Sequence, residues 1–391
     1  MKMISDKKYT GPSIAELLEQ NQLEGNDEIW SERIAAVTQA DVEKALAMPV
    51  GLFTLEKLMI LISPVAKKYL EQMAQMANQL TIQRFGRVVR MYAPLYLSNF
   101  CNNGCRYCGF NKTHHYQRSR LTIDQAMKEA EVIASEGFRD ILLVSGEDPK
   151  FIDINYLAEL TKKLREKFSY IAIEIYQLKQ EQYAKLFKAG IEGVTIYQET
   201  YDRDQYKYWH PAGKKADYDR RLIAPDSICS AGMREIGLGV LLGLKDWRIE
   251  TLAKALHANY LMKRYWKSHI SFSFPRIRPA TEVERAQFEY LMSDEDLVQM
   301  VTALRLCFAD AGEVISTRES AIFRDNLIKI GITKTSAGSK TNPGGYSETK
   351  DATEQFKVND DRCPELVTKA IKQAGFEPVW KDWDSAFVKS K

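Results

Sequence analysis

From about residue 90 onward, short β-rich runs alternate with helical stretches, and this alternation constrains the fold more than any other feature. The runs are RMYAPLYLS (90–98), DILLVSG (140–146), YIAIEIY (170–176), GVTIYQE (193–199), IGLGVLLG (236–243), ISFSFPR (270–276), EVISTRE (313–319) and IGITKTSAG (330–338). Amphipathic helical patterns fit between them at 121–137, 155–168, 180–190, 217–232, 248–265, 293–311 and 320–328. Repeated strand–helix alternation predicts a parallel sheet with right-handed crossovers. Eight such units predict closure into an α/β (β/α)8 TIM-type barrel, with an open doubly wound sheet as the alternative.

The flanks read differently. Residues 1–80 carry helical periodicity, with Pro64 kinking or starting one helix. Residues 339–361 are polar and turn-rich and predict a long loop, followed by one helix from Cys363 and an aromatic tail. The expected division is an N-terminal helical extension (1–80), a barrel (81–338) and a C-terminal loop, helix and tail packing on it (339–391). A net charge of +3 over 391 residues gives no case for nucleic acid or an acidic membrane surface. No apolar run reaches transmembrane length, and the start, MKMISDKKYTGPS, lacks an apolar signal region, so a cytoplasmic protein is expected.

The six cysteines are unevenly spread. Cys101, Cys105 and Cys108 fall within CNNGCRYCGF, directly after the first predicted strand. Cys229 and Cys307 have apolar surroundings and read as packed core thiols; Cys363 has no evident partner and reads as structural. Structural zinc takes four ligands, which only a histidine such as His114 or His115 would complete here. A 4Fe–4S cluster held by three cysteines keeps one iron open for a chelating small molecule. In a barrel, chemistry belongs at the C-terminal ends of strands. Ser145-Gly146-Glu147 closes the second strand, Tyr197-Gln198-Glu199 the fourth and Ser316–Glu319 the seventh.

Cys101-x3-Cys105-x2-Cys108, with Tyr107 before the last cysteine, resembles the CxxxCxxC motif of the radical S-adenosylmethionine (SAM) enzymes. The resemblance implies a 4Fe–4S cluster on three cysteines, with SAM chelating the open iron. It also implies one-electron cleavage of SAM to methionine and a 5′-deoxyadenosyl radical. Ser145, Gly146 and Glu147 resemble the strand-two motif that binds the SAM ammonium. Gly239, opening GVLLG, resembles the segment beside adenine, and Arg221 the arginine that pairs with the SAM carboxylate. Glu174 and Glu199, at the ends of strands three and four, join Tyr107 as expected SAM contacts.

YLSNFCNNGCRYCGF, LLVSGE, YQETY, GKKADYDRRL, SFPRIRP, STRES, PGGY and PVWKDWD together resemble the tyrosine lyases of thiamine biosynthesis, over about residues 80–385. That branch implies cleavage of the Cα–Cβ bond of L-tyrosine to 2-iminoacetate and p-cresol. It implies a reduced flavodoxin or ferredoxin as electron donor, and thiazole synthase as a partner. Related tyrosine lyases of hydrogenase maturation carry further C-terminal cysteines, where this sequence has only Cys363. A free amino acid presents a carboxylate, best gripped by a bidentate arginine. Arg318 matches the family's position, with Ser316 assisting; the bland reading pairs Arg318 with Glu319. Arg276 and Arg278 are the other candidates, and Tyr92, Tyr96 and Tyr346 are candidate linings of the phenol pocket. His210 is expected near the mouth. The N-terminal helices and the 339–361 loop are expected to cap the site.

Overall fold

The computed structural model describes residues 9–25, 27–347 and 352–380. Eight parallel strands close on themselves: β1 Val88–Ser98, β2 Asp140–Ser145, β3 Tyr170–Glu174, β4 Gly193–Glu199, β5 Glu235–Val240, β6 His269–Ser273, β7 Gly312–Ile315 and β8 Lys334–Ser336. Each pairs with the next, and β1 closes the ring by pairing with β2 from Ala93↔Ile141 to Ser98↔Ser145. The predicted barrel is therefore the observed one. Several runs are shorter than predicted, most clearly the seventh and eighth. The seventh loses its last four residues to the loop at the rim, and the eighth is trimmed at both ends.

The helices in chain order are α1 Ile14–Gln20, α2 Asp27–Ala35, α3 Gln39–Ala47, α4 Leu55–Leu61, α5 Leu70–Phe85, α6 Ile123–Ser135, α7 Ile154–Leu164, α8 Gln180–Ala189, α9 Arg203–Trp209, α10 Tyr218–Leu222, α11 Ala224–Ser230, α12 Trp247–Arg264, α13 Asp294–Cys307, α14 Ala321–Ile328 and α15 Pro364–Gln373. Side-chain caps fix several starts: Thr122 closes a capping box with Gln125 at α6, and Asp153 and Ser293 cap α7 and α13. The single helix expected at 217–232 is two, because Pro225 falls at a helix start and divides α10 from α11. Pro64 starts a short 3-10 turn, Val65–Tyr69, that leads into α5. Among the described residues, no helix is long and apolar enough to cross a membrane.

The N-terminal helices do not cap the barrel. They pack on α12 and α13 at its flank, so α12 is buried on nearly every face. Gln299 of α13 donates to Leu61 O (3.0 Å) and Ser63 O (2.8 Å), and the buried Lys57 ammonium donates to Pro49 O (2.8 Å) and Leu306 O (3.1 Å). Cys229 and Cys307 are buried, as read from sequence; Cys363 is exposed, contrary to a structural role.

The ring has an open seam. β8 reaches β1 only at Arg90–Tyr92, and a ninth strand, β9 Glu377–Val379, takes the adjoining Val88–Arg90. Above Tyr92 that edge of β1 is covered instead by the chain after β8, where the Tyr346 hydroxyl donates to Pro94 O (2.9 Å). Pro94 lacks an N–H and is tolerated in this strand because its empty edge faces the seam. The aromatic tail read from PVWKDWD is thus partly strand: Trp380 packs edge-on against Phe138, and the remainder lies outside the described residues.

After the seam the chain runs back over the barrel mouth as a strap, residues 352–360. Lys357 N donates to Pro279 O (2.9 Å), and Asn359 and Asp360 N–H groups donate to Thr317 O (2.8 and 3.1 Å). Asp360 forms a fully buried ion pair with Arg324, which also donates to Thr335 Oγ1 (2.8 Å). Removing one partner leaves a buried charge unpaired, at a cost of about 3–5 kcal/mol. Asp360→Ala is expected to lose about that much stability in denaturant unfolding. A loss below about 1 kcal/mol would show that the pair does not hold the strap.

Candidate functional site

A cavity holding about 920 Å³ of space, part of it open to solvent, lies at the C-terminal rim. Two β-bulges shape its edge, in β1 between Tyr96 and Ser98 and in β4 between Tyr197 and Glu199. The second bulge puts Glu199 in the left-handed region at φ 70°, a conformation costly for a non-glycine residue and often stored at functional sites. Gly146 allows the end of β2 to meet the cysteine loop, since a Cβ there would lie 2.3 Å from Phe100 O.

Twelve of the residues singled out from sequence line this cavity: Cys101, Cys105, Cys108, Tyr107, Ser145, Gly146, Glu147, Glu174, Glu199, Arg221, Arg278 and Arg318. The other six do not. Tyr92 lies a layer deeper, in the barrel interior, under the Lys334 ammonium. Tyr96 packs edge-on against Phe110 and donates to Gln355 Oε1 (2.7 Å). Gly239 gives room to the Tyr197 ring, which a Cβ would meet at 2.5 Å; Tyr197 itself reaches the cavity. Ser316 Oγ accepts from Arg318 N (3.4 Å), and Tyr346 is held at the seam. Arg276 is committed to a two-point pair with Glu319, and also meets Asp294 (2.7 Å) and Met292 O (3.1 Å).

That last pairing decides the electrostatics. With Glu319 taken by Arg276, Arg318 makes no ion pair among the described residues; its guanidinium lies 3.4 Å over the Phe356 ring. Arg278 likewise makes none, and its Nε is buried without a partner. The opposite charge group is balanced. Lys215 Nζ contacts Glu199 (2.7 Å) and Glu147 (4.0 Å), while Arg221 contacts Glu147 (3.5 Å) and donates to Tyr197 O (2.7 Å). The cavity thus has one wall of paired, mixed charge and one wall with two guanidinium groups that make no ion pair among the described residues, the arrangement that receives an anion.

The three thiols face this cavity together, and burial pushes all of them up, Cys101 to about 11. Thiolates form in such a place only where a positive centre, a metal or a cationic side chain, takes up their charge. No three or more His, Cys, Asp or Glu side chains among the described residues converge on a single ion-sized point. Ser145 Oγ is buried at the same wall without a hydrogen-bond partner. Behind the thiols, Tyr107 donates to His210 Nε2 (2.8 Å); the tautomer follows because His210 Nδ1 must donate to Tyr206 O (2.8 Å). His210 is buried beneath the mouth rather than on its wall.

Sequence reading missed Lys215, Asn103, Gln355 and Phe356, all on the wall. Lys215 sits beside Lys214 in GKKADYDRRL, and only the fold separates the two. Asn103 donates to Glu147 Oε2 (2.8 Å) and fixes that carboxylate.

Comparison with known proteins agrees with this geometry. The Radical SAM superfamily model matches residues 95–256, and the Biotin and Thiamin Synthesis associated domain model matches 273–377. The chain is 44% identical to the 2-iminoacetate synthase of Escherichia coli over 90% of its length and 93% of that protein's. It belongs to the 2-iminoacetate synthase family of radical SAM enzymes. The Salmonella typhimurium 2-iminoacetate synthase matches at the same identity and coverage. A crystal structure of HydG, a maturase of the FeFe-hydrogenase, superposes with a TM-score of 0.86 at 33% identity, covering 94% of this chain and 84% of that one. Membership implies a 4Fe–4S cluster and SAM.

Glu174 offers a test of the cavity's electrostatics. Burial raises its carboxyl from 4.5 to about 7, with the Arg318 charge opposing the shift. The folded chain therefore keeps a proton that the unfolded chain has lost, and stability falls as pH rises between about 4.5 and 7. Buried Glu250 and Glu313 act in the same direction, so the informative quantity is a difference. Cofactor-free Glu174→Gln is expected to gain stability over the parent as pH rises through that window, by urea unfolding at both ends. An unchanged difference would mean that Glu174 is solvated.

Proposed function

We propose that this chain cleaves the Cα–Cβ bond of L-tyrosine to 2-iminoacetate and p-cresol, for thiazole formation in thiamine biosynthesis. The observation that carries this reading is the pair of arginines without an ion pair, Arg318 and Arg278, on the same cavity as three cysteines. Cys101, Cys105 and Cys108 fit a 4Fe–4S cluster with one iron left to SAM, because its thiolates bind separate irons and need not converge. When bound, cluster and SAM supply the one-electron chemistry that takes a hydrogen atom from the substrate.

The chain's own part is to bind, orient and exclude water. The wall of paired charge suits a zwitterion: Glu147, held by Asn103, meets the SAM ammonium with the free Ser145 hydroxyl, and Arg221 and Lys215 meet its carboxylate. Tyr107, Glu174 and Glu199 complete that side, and Gly239 acts through the Tyr197 ring it admits. Arg318 takes the tyrosine carboxylate with Arg278 beside it. Ile175, Tyr197 and Ile277 give the ring apolar cover. The strap, rather than the N-terminal helices, closes the mouth and holds reacting groups near contact. A reduced flavodoxin or ferredoxin as donor, thiazole synthase as recipient of the imine and a cytoplasmic setting complete the reading.

Offered L-tyrosine, L-tryptophan and L-phenylalanine, the reconstituted protein is expected to form 5′-deoxyadenosine in a substrate-dependent way with tyrosine alone. A hydrogen bond to a charged group contributes about 1.5–3 kcal/mol, so Arg318→Ala is expected to raise the tyrosine KM roughly ten- to hundredfold. Equal turnover of tryptophan, or an unchanged KM, would contradict the assignment.

A further inference from the structure

Two consecutive residues of the strap touch the two chemically distinct parts of the cavity. Gln355 Nε2 lies 4.0 Å from Cys108 Sγ, while its Oε1 accepts from the Tyr96 hydroxyl at 2.7 Å. The Phe356 ring lies 3.4 Å below the Arg318 guanidinium. The orientation of the amide is determined by its partners. The Tyr96 hydroxyl donates to the amide oxygen, and a ligating sulfur only accepts, so the amide nitrogen faces Cys108. The dipeptide is also clamped by its backbone. Gln355 N donates to Thr341 O (2.9 Å), Thr341 Oγ1 donates to Phe356 O (2.8 Å), and Gly109 N donates to Gln355 O (3.3 Å). A Cβ at Gly109 would come within 2.8 Å of Gln355 O, so strap and cysteine loop are in backbone contact beside the ligand.

We propose that Gln355 and Phe356 are positioning residues that join the cluster to substrate capture: Gln355 donates an N–H···S hydrogen bond to the Cys108 ligand and raises the reduction potential of the cluster, and Phe356 holds the Arg318 guanidinium for the substrate carboxylate. This rests on Cys108 being a cluster ligand and Arg318 the carboxylate partner. Hydrogen bonds to cluster sulfurs are among the factors that set the potential, since a donor stabilises the added negative charge of the reduced state. A planar guanidinium stacked on an aromatic face keeps its donors aimed in one direction.

The test uses the reconstituted full-length holoprotein, with iron counted in every preparation. Gln355→Leu is expected to make the cluster harder to reduce, by on the order of tenfold in the reduction equilibrium, about 59 mV to more negative potential. Its reduced electron paramagnetic resonance signal is expected to change, and its affinity for L-tyrosine to stay the same. Tyr96→Phe, which leaves the packing on Phe110 and removes only the orienting hydroxyl, is expected to shift the potential in the same direction by less. Phe356→Leu is expected to weaken tyrosine binding several-fold and leave the potential unchanged. An unchanged potential in Gln355→Leu with a full cluster, or unchanged tyrosine affinity in Phe356→Leu, overturns the inference. A parent protein that assembles no cluster overturns instead the reading of the cysteines on which it rests.

Discussion

Pairing of β1 with β2 closes the sheet, and the chemistry of the chain depends on that closure. A closed parallel ring brings the ends of all eight strands to one rim, so residues far apart in sequence share one cavity. The cysteine loop after β1, Glu147 after β2, Glu174 of β3, Glu199 of β4 and Arg318 after β7 meet only for this reason. The closure is incomplete on the other side of β1, and that gap matters as much. Where β8 stops short, the chain beyond it fills the seam and then crosses the mouth.

Within the cavity, a single competition sets the charge. Glu319 adjoins Arg318 in sequence but pairs with Arg276. Arg318 is left beside Arg278 with an excess of positive charge, stacked on Phe356. Across the cavity, Lys215, Arg221, Glu147 and Glu199 cancel one another. The two ligands of the proposed reaction are both amino acids, and on that proposal this asymmetry would distinguish their places. A zwitterion whose ammonium must be bound has Glu147 to meet it. A substrate held chiefly by its carboxylate has the arginine wall.

The barrel was legible because each strand–helix unit repeats a local pattern, and the radical SAM family because the spacing of Cys101, Cys105 and Cys108 after the first strand resembles its motif. Family resemblance and strand-end position also found half of the cavity wall. What failed were properties set by tertiary partners. Arg276 and Arg278 are equivalent in SFPRIRP until Glu319 chooses between them. Tyr92, Tyr96 and Tyr346 are ordinary tyrosines in sequence; only depth in the barrel and the seam separate them from Tyr197. The strap residues Gln355 and Phe356 sit in a polar, turn-rich stretch with no periodicity, so nothing local marked them. The interior of the barrel was unreadable for a related reason. Arg90 pairs there with Asp140 (2.6 Å) and Glu235 (3.2 Å), and Lys334 with Asp140 (3.2 Å), a neutral charged layer from four different strands.

Tyrosine cleavage by this cavity on a three-cysteine cluster is tested by anaerobic reconstitution with iron and sulfide, followed by dithionite, SAM and L-tyrosine, with p-cresol and 5′-deoxyadenosine measured by mass spectrometry. Both products are expected to form together and to vanish in Cys105→Ala. Deoxyadenosine without p-cresol would contradict the substrate assignment, and neither product from protein holding an intact cluster and bound SAM would contradict the account as a whole.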